Sequence, residues 1–509
     1  MRTSPTGSGN SNVSSPGAAG VGHSAGDEPV TAPPAGSTAP ATTAPSPAAA
    51  RGEPLATVDV VVVGAGLAGC AAALAAAERG ATVLLLEKGE QPGGSSVRAG
   101  GGLLFAGTSL QRRHGVADSP EALRAAIVAA GQDRGDPAAV DVYADNQLAA
   151  YEWMAGLGQE FILVPANADI TIPRLHAAPP SALTALLLER LAATDRGRVV
   201  TGAAGGRLTT DGGRVTGVLV SQVGVERPVS ARLGVILATG GFTQSPELLR
   251  TFAPQWADAA AMGGDGNTGD GLRMAMAVGA QLADMGYVAG TFGAAAVDYP
   301  GLGAAPGTAP RLLFPHAAGA IVVNRAGRRF VNEGLGYKVI AGVCAGQPDG
   351  IAFQVFDQPV MDTSVPVPSP RDFARALADG LLFQAPTLAA LAERLRVDAA
   401  VLAGTVARYN AGLRAGADPE HGRPLSMARE LTTPPYYGYP CRAGLTTTYC
   451  GVRVSRRLEV LDVFDQPIGG LFAAGEVVGG LHGAGYLTGT GLGKAAVYGR
   501  VAGLAAAAW

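Results

Sequence analysis

Four consecutive valines, Val60-Val61-Val62-Val63, run directly into Gly64-Ala65-Gly66-Leu67-Ala68-Gly69, and an alanine-rich stretch follows to Ala77. By length alone this apolar run matches a membrane helix. The β-branched residues at its start and the three glycines in its middle instead predict a buried strand, a tight turn and a helix. G-x-G-x-x-G between a strand and a helix is the phosphate-binding turn of a dinucleotide-binding βαβ unit. The first glycine permits the turn, the second lets backbone approach a pyrophosphate, and the third lets helix and strand pack closely. The helix N-terminus then faces the phosphate charge. A second strand is predicted at Thr82–Leu86. It ends at Glu87, about 20 residues past Gly64, where a carboxylate accepts ribose hydroxyls.

The remaining composition narrows the function classes. Glycine accounts for 74 of 509 residues, about double the usual ~7%. Thirty-eight basic against 41 acidic side chains leave a net charge of −3. That is not the basic excess of a nucleic-acid binder, and no nucleic-acid partner is expected. The four cysteines, Cys70, Cys344, Cys441 and Cys450, form no C-x-x-C. A disulfide scaffold, a zinc ribbon and a thioredoxin-type pair are thereby excluded, and a cytoplasmic location is expected. The six histidines fall in no H-E-x-x-H, so no metal site is expected. No G-x-S-x-G elbow marks a hydrolase.

Residues 1–56 are Ser-, Thr-, Pro-, Ala- and Gly-rich and read as a disordered tail, or as a tether. Without a continuous apolar stretch they do not form a signal peptide. A helix start is predicted at Asp118-Ser119-Pro120-Glu121, a helix over 136–157, short strands over 195–237 and a last helix near Gly489. Residues 286–446 have a looser, Pro-rich texture. The change in texture divides the chain into 57–285, 286–446 and 447–509. No second candidate membrane span stands out.

Further glycine motifs separate flavin from nicotinamide. Gly93-Gly94-Ser95-Ser96 and Arg98-Ala99-Gly100-Gly101-Gly102 follow Glu87. Ala238-Thr239-Gly240-Gly241 closes a strand, and Gly470-Leu471-Phe472-Ala473-Ala474-Gly475-Glu476 lies near the C-terminus. With Thr268-Gly269-Asp270-Gly271 and Asn324-Arg325-Ala326-Gly327-Arg328-Arg329-Phe330-Val331-Asn332-Glu333, the chain resembles the fumarate reductase and 3-ketosteroid dehydrogenase group of FAD proteins over residues 57–509. The resemblance implies an α/β fold: a two-dinucleotide-binding-domain flavoprotein, Rossmann-like, with the FAD-binding domain in two parts, 57–285 and 447–509, and an inserted α+β substrate-capping domain at 286–446. It assigns FAD contacts to Gly64, Ala65, Gly66, Ala68, Gly69, Glu87, Lys88, Ser95, Ser96, Gly100, Gly101, Ala203, Thr239, Gly240, Asp270, Glu476, Gly491 and Leu492. No histidine stands in Gly93–Gly102, where relatives with covalent flavin carry one, so non-covalent FAD is expected.

The resemblance also bears on the reaction. Tyr486 stands where the fumarate reductase pattern G-A-x-R-L-G-G has arginine. Thr446-Thr447-Thr448-Tyr449-Cys450-Gly451 replaces H-H-T-M-G-G, and Met361 falls at the proton-donor arginine. Tyrosine and methionine cannot pair bidentately with a carboxylate, so dicarboxylate reduction is not expected. Tyr486, Thr488 and Gly489 instead resemble the Y-x-S-G of ketosteroid 4-dehydrogenases of the 5α type, with threonine for serine. Tyr337, four residues past Glu333, matches their cap tyrosine.

Desaturating a ketone needs a donor on the carbonyl, a base for the α-proton and a flavin, whose N5 takes the β-hydride. Tyr486, Thr488 and Gly489 are the candidate donors and Tyr337 the candidate base. Each has a bland alternative: Tyr486 packing on the flavin, Tyr337 in the cap core, Thr488 capping the last helix. His482 reads as a hydrogen-bonded structural histidine and Cys450 as a buried inert thiol. The expected function is desaturation of a small hydrophobic cyclic ketone, ketosteroid-like, with an unidentified electron acceptor. Reduction of an enone or other activated alkene, and a flavin redox protein serving a partner, are the alternatives.

Overall fold

The computed structural model of the protein describes residues 53–166, 171–297, 299–300, 311–366 and 369–509. The expected tail lies outside the described residues except at its end. There the chain is already paired: Leu55 donates its N–H to Pro228 O at 2.9 Å, and the first strand begins at Ala56. Ladder hydrogen bonds need no apolar side chain, so composition placed the boundary slightly late.

β1 (Ala56–Val63) buries Val60, Val61, Val62 and Val63 fully or nearly so. Each buried valine contributes about 1.5–3 kcal/mol. α1 (Leu67–Glu78) follows the glycine turn, and β2 (Val83–Leu86) pairs with β1 in parallel, Val60 opposite Val83. Gly64 has φ 101°, and a Cβ there would lie 2.5 Å from Ala238 O. A Cβ on Gly69 would lie 1.8 Å from Gly64 O, so the strand–helix approach requires both glycines. α2 (Pro120–Ala130) starts on the Ser119 cap and α3 (Pro137–Gly156) on the Asp136 cap. β3 (Gly197–Val200), β4 (Ala204–Asp211), β5 (Arg214–Gln222) and β6 (Val225–Leu237) then follow. α4 (Asp270–Met276) begins in the Thr268-Gly269-Asp270 turn.

A second sheet has its own core, with Ile321, Phe353, Val355, Leu391 and Leu395 buried. It contains β7 (Val288–Ala295), β8 (Ile321–Val323), β9 (Ile351–Asp357), β10 (Phe383–Ala385) and β11 (Tyr436–Thr448). The first turn of α5 (Tyr337–Ala345) faces the cavity described below. β11 is the central strand, antiparallel to β7, β9 and β10. It also pairs in parallel with Ala260–Ala261, so this sheet recruits residues from before position 286. Beneath it, Arg329 is fully buried between Glu333 (2.6 Å) and Asp418 (2.7 Å).

The chain then returns to the first sheet through β12 (Glu459–Leu461) and β13 (Pro467–Ala473). The sheet order is β12-β13-β6-β1-β2-β3, with β5 joining β6 to β4. The last helix, α6 (Thr490–Ala507), packs on α1 backbone to backbone. A Cβ on Gly499 would meet Ala68 O at 2.3 Å, and one on Gly503 would meet Ala72 O at 2.2 Å. The Ala/Gly-rich texture of both helices is thus a packing requirement. No helix among the described residues is long and apolar enough to cross a membrane.

Candidate active site

The glycine turns converge on one cavity of about 600 Å³. At one end lie Gly64, Gly66, Ala68 and Glu87. The Glu87 carboxylate accepts N–H bonds from Ala65 (3.0 Å) and Gly89 (2.8 Å), which fixes it against the turn. Ser96 Oγ accepts from Leu67 N at 3.1 Å, tying the Gly93-Gly94 segment to the start of α1. Lys88 reaches Asp270 (2.6 Å) and Thr268 (2.7 Å). Along the wall, Ser95 Oγ accepts from Gly264 N at 2.9 Å.

Glu476 is held from both sides. One oxygen accepts from Asn267 Nδ2 (2.8 Å), the other from Thr447 Oγ1 (2.8 Å) and Thr448 N (2.9 Å). Sequence reasoning missed Asn267; its only signal was the glycine-rich run Gly263-Gly264-Asp265-Gly266 before it.

The other end is aromatic. Tyr486 stacks on Tyr449 at 5.8 Å with the rings 5° apart, and His482 lies 5.3 Å from Tyr486. Tyr486 Oη accepts from Gly491 N at 3.2 Å, and burial pushes its pKa up. Tyr337, the first residue of α5, stacks on Phe314 at 5.4 Å. Lys338 extends from the same turn, with Nζ 5.7 Å from the Tyr337 ring centre and 5.2 Å from that of Tyr486. It donates to Thr488 Oγ1 (3.3 Å) and Tyr486 O (3.4 Å). Lys338 was not singled out in the sequence as a site residue.

Of the sequence candidates, Gly64, Gly66, Ala68, Glu87, Lys88, Ser95, Ser96, Gly100, Ala203, Thr239, Gly240, Asp270, Glu476, Gly491, Leu492, Tyr337 and Tyr486 border the cavity. Ala65, Gly69, Gly101, Thr488 and Gly489 stand behind it. Gly101 (φ 84°) supports a turn against Ala178 O. Gly489 (φ 94°) is the N-cap of α6, so Thr488 does not cap that helix. Thr446 and Thr447 border the cavity, whereas Met361 packs on the core. Cys450 is buried, and burial pushes its thiol up to about 12. His482 hydrogen-bonds Thr490 Oγ1 at 3.0 Å through Nε2, and it also borders the cavity. Among the described residues no group of three or more His, Cys, Asp or Glu is placed to hold a metal.

The cavity fits a flavin dinucleotide. Its fingerprint glycines leave backbone facing the space, and Gly66 would admit a Cβ with no atom nearer than 3.5 Å. The carboxylates of Glu87 and Glu476 and the hydroxyls of Ser95 and Ser96 line the same space, a set of groups suited to ribose and polyol hydroxyls.

Comparison with known proteins decides the family. The model of the FAD binding domain family matches residues 59–492. The protein belongs to this FAD-binding family. It is 31% identical to the fumarate reductase (cytochrome) of Shewanella frigidimarina over 90% of this chain and 79% of that one. It is 32% identical to the urocanate reductase of Eggerthella lenta, over 89% and 75%. Among solved structures, the 3-ketosteroid-Δ4-(5α)-dehydrogenase of Rhodococcus jostii aligns with TM-score 0.70 at 28% identity, over 89% of this chain and 97% of that one. This member of the family is therefore an FAD-dependent oxidoreductase of the fumarate reductase and ketosteroid dehydrogenase type, and its relatives act on C=C or CH–CH groups.

Proposed function

We propose that the protein desaturates a hydrophobic cyclic ketone at its α and β carbons, and that residues 286–446 cap the substrate. The observation that carries this reading is the state of Tyr486. Its oxygen already accepts the Gly491 N–H, and burial keeps the phenol protonated. A neutral O–H at the cavity wall can donate to a carbonyl oxygen and hold the charge that develops there.

FAD, when bound, supplies the acceptor for the β-hydrogen and its electron pair. Gly64, Gly66, Glu87, Lys88, Ser95, Thr239 and Glu476 would hold it non-covalently. Tyr337 takes the α-proton. A phenol is a weak base at its ordinary value near 10. The Lys338 ammonium lies beside it, with Nζ 5.7 Å from the Tyr337 ring centre. Thr488 accepts from Lys338 and keeps it in place. An unidentified acceptor then removes the electrons.

A second reading has one observation in its favour. Lys338 is a proton-bearing cation beside both tyrosines, which suits protonation of an enolate during reduction of an enone or another activated alkene. Anaerobic titration separates the two. On the desaturase reading, cyclic ketones bleach the oxidised, yellow protein. If only enones react, by re-oxidising the dithionite-reduced protein while saturated ketones leave the flavin oxidised, the reductase reading replaces it.

A further inference from the structure

α6 carries Lys494 one turn past Thr490. The helix is enclosed by α1 and α3, and Lys494 is only 1% exposed, yet it borders the cavity. Its Nζ donates to Val478 O at 2.5 Å. The charged and titratable groups around it come from several segments: Glu476, Asp284 and Cys450 act on its charge, and its charge acts on His482. On α3, Tyr143 faces α6 across Gly493 and donates to Leu104 O. Both Glu476 oxygens are already engaged by Asn267, Thr447 and Thr448. His482 beside it is kept neutral by burial and by Lys494 itself.

Holding an ammonium out of water costs several kcal/mol unless opposite charge compensates it. Buried, perturbed lysines accordingly concentrate at functional sites. Here the lysine is fixed by a helix and a carbonyl at the wall of a cavity that takes up electrons.

We propose that Lys494 sets the redox level of the bound flavin: a fixed positive charge on the cavity wall favours the reduced over the oxidised form. The physical basis is that electrons added in a water-poor cavity are stabilised by a nearby cation that does not have to reorganise. The inference rests on FAD binding alone, not on the ketone reading, so failure of one leaves the other standing.

The test is anaerobic potentiometric titration of the FAD-loaded protein and of Lys494→Met, with reference dyes and no substrate. Burial pulls the Lys494 pKa down to about 8. The charge is therefore present near pH 7 and largely gone near pH 9.5. Near pH 7 the variant should hold at least tenfold less reduced flavin at the same applied potential, about 30 mV for a two-electron couple. Near pH 9.5 the two proteins should converge. Equal potentials near pH 7, or an offset unchanged between the two pH values, overturns the proposal. Should Lys494→Met fail to retain FAD, the wild type's own plot of potential against pH decides: a change of slope near pH 8 supports the proposal, and a straight line through that region overturns it.

Discussion

Under the proposed function the cavity has a cofactor half at the glycine turns and a substrate half at the aromatic end, and each half has a discriminating substitution. In the substrate half, Tyr486→Phe removes one donor at the wall while leaving the stack on Tyr449 intact. Losing such a donor costs about 10²–10³ in turnover. Tyr337→Phe should slow flavin reduction by ketone at least as much, with substrate binding retained. Stopped-flow bleaching of both variants checks this, and reduction at wild-type rates in both would remove the proposed roles. In the cofactor half, Glu87→Ala deletes the carboxylate that braces the Ala65 and Gly89 amides and is assigned to the ribose hydroxyls. That variant should lose flavin on gel filtration; full retention would show that Glu87 serves the turn alone.

Between elements, one closely constrained contact is ionic. Arg329 is enclosed by Glu333 and Asp418, stacks 4.6 Å over the Tyr409 ring, and Glu333 also accepts from Val322 N at 2.9 Å. Burial alone would raise the Asp418 pKa, but the Arg329 guanidinium and the backbone N–H groups of Arg423 and Glu420 together outweigh it and hold Asp418 well below the usual carboxylate range. Glu333→Ala leaves the guanidinium with one partner fewer in a dry site, a change that typically costs about 3–5 kcal/mol. Urea unfolding should register a loss of that order; a change under about 1 kcal/mol would mean that water replaces the carboxylate. The Arg329–Glu333 spacing was visible in the sequence as part of a family motif. Its partner Asp418, 89 positions from Arg329, was not, because nothing local marks an aspartate that a distant arginine will meet.

Over the whole molecule, acid sensitivity follows from buried imidazoles. Burial pulls His176 and His316 down to about 4, and His482 well below its ordinary value. An unfolded chain protonates these rings near pH 6.5, so between about pH 6.5 and 4 the unfolded state binds more protons than the folded one. Stability from these groups is fully present above pH 6.5 and falls as pH drops, by about 1.4 kcal/mol per pH unit for each ring. Asp284, raised by burial, works in the opposite direction as a single group. Melting temperature measured from pH 7 to 4.5 should fall steadily, and His316→Gln should flatten the slope; an unchanged slope would show that His316 is not part of it.

What the sequence determined is what chain neighbours decide together. A run of valines, three glycines at fixed spacing and an acid about 20 residues on specify a strand, a turn, a helix and the far end of a nucleotide, because each step depends on backbone freedom and side-chain shape within a few residues. The same holds for the Gly475-Glu476 turn after β13 and for the Ser119 and Asp136 caps. The tertiary structure decided which surfaces meet. Lys338 reaches Thr488 across 150 positions, turning a candidate substrate hydroxyl into a brace for a cation. Asn267 reaches Glu476 across 209. Lys494 follows a glycine-rich helix start, and no neighbour in the chain marks it as buried. It is buried only because α1 and α3 close around α6, and a buried charge is defined by those enclosing elements, not by its neighbours in the chain.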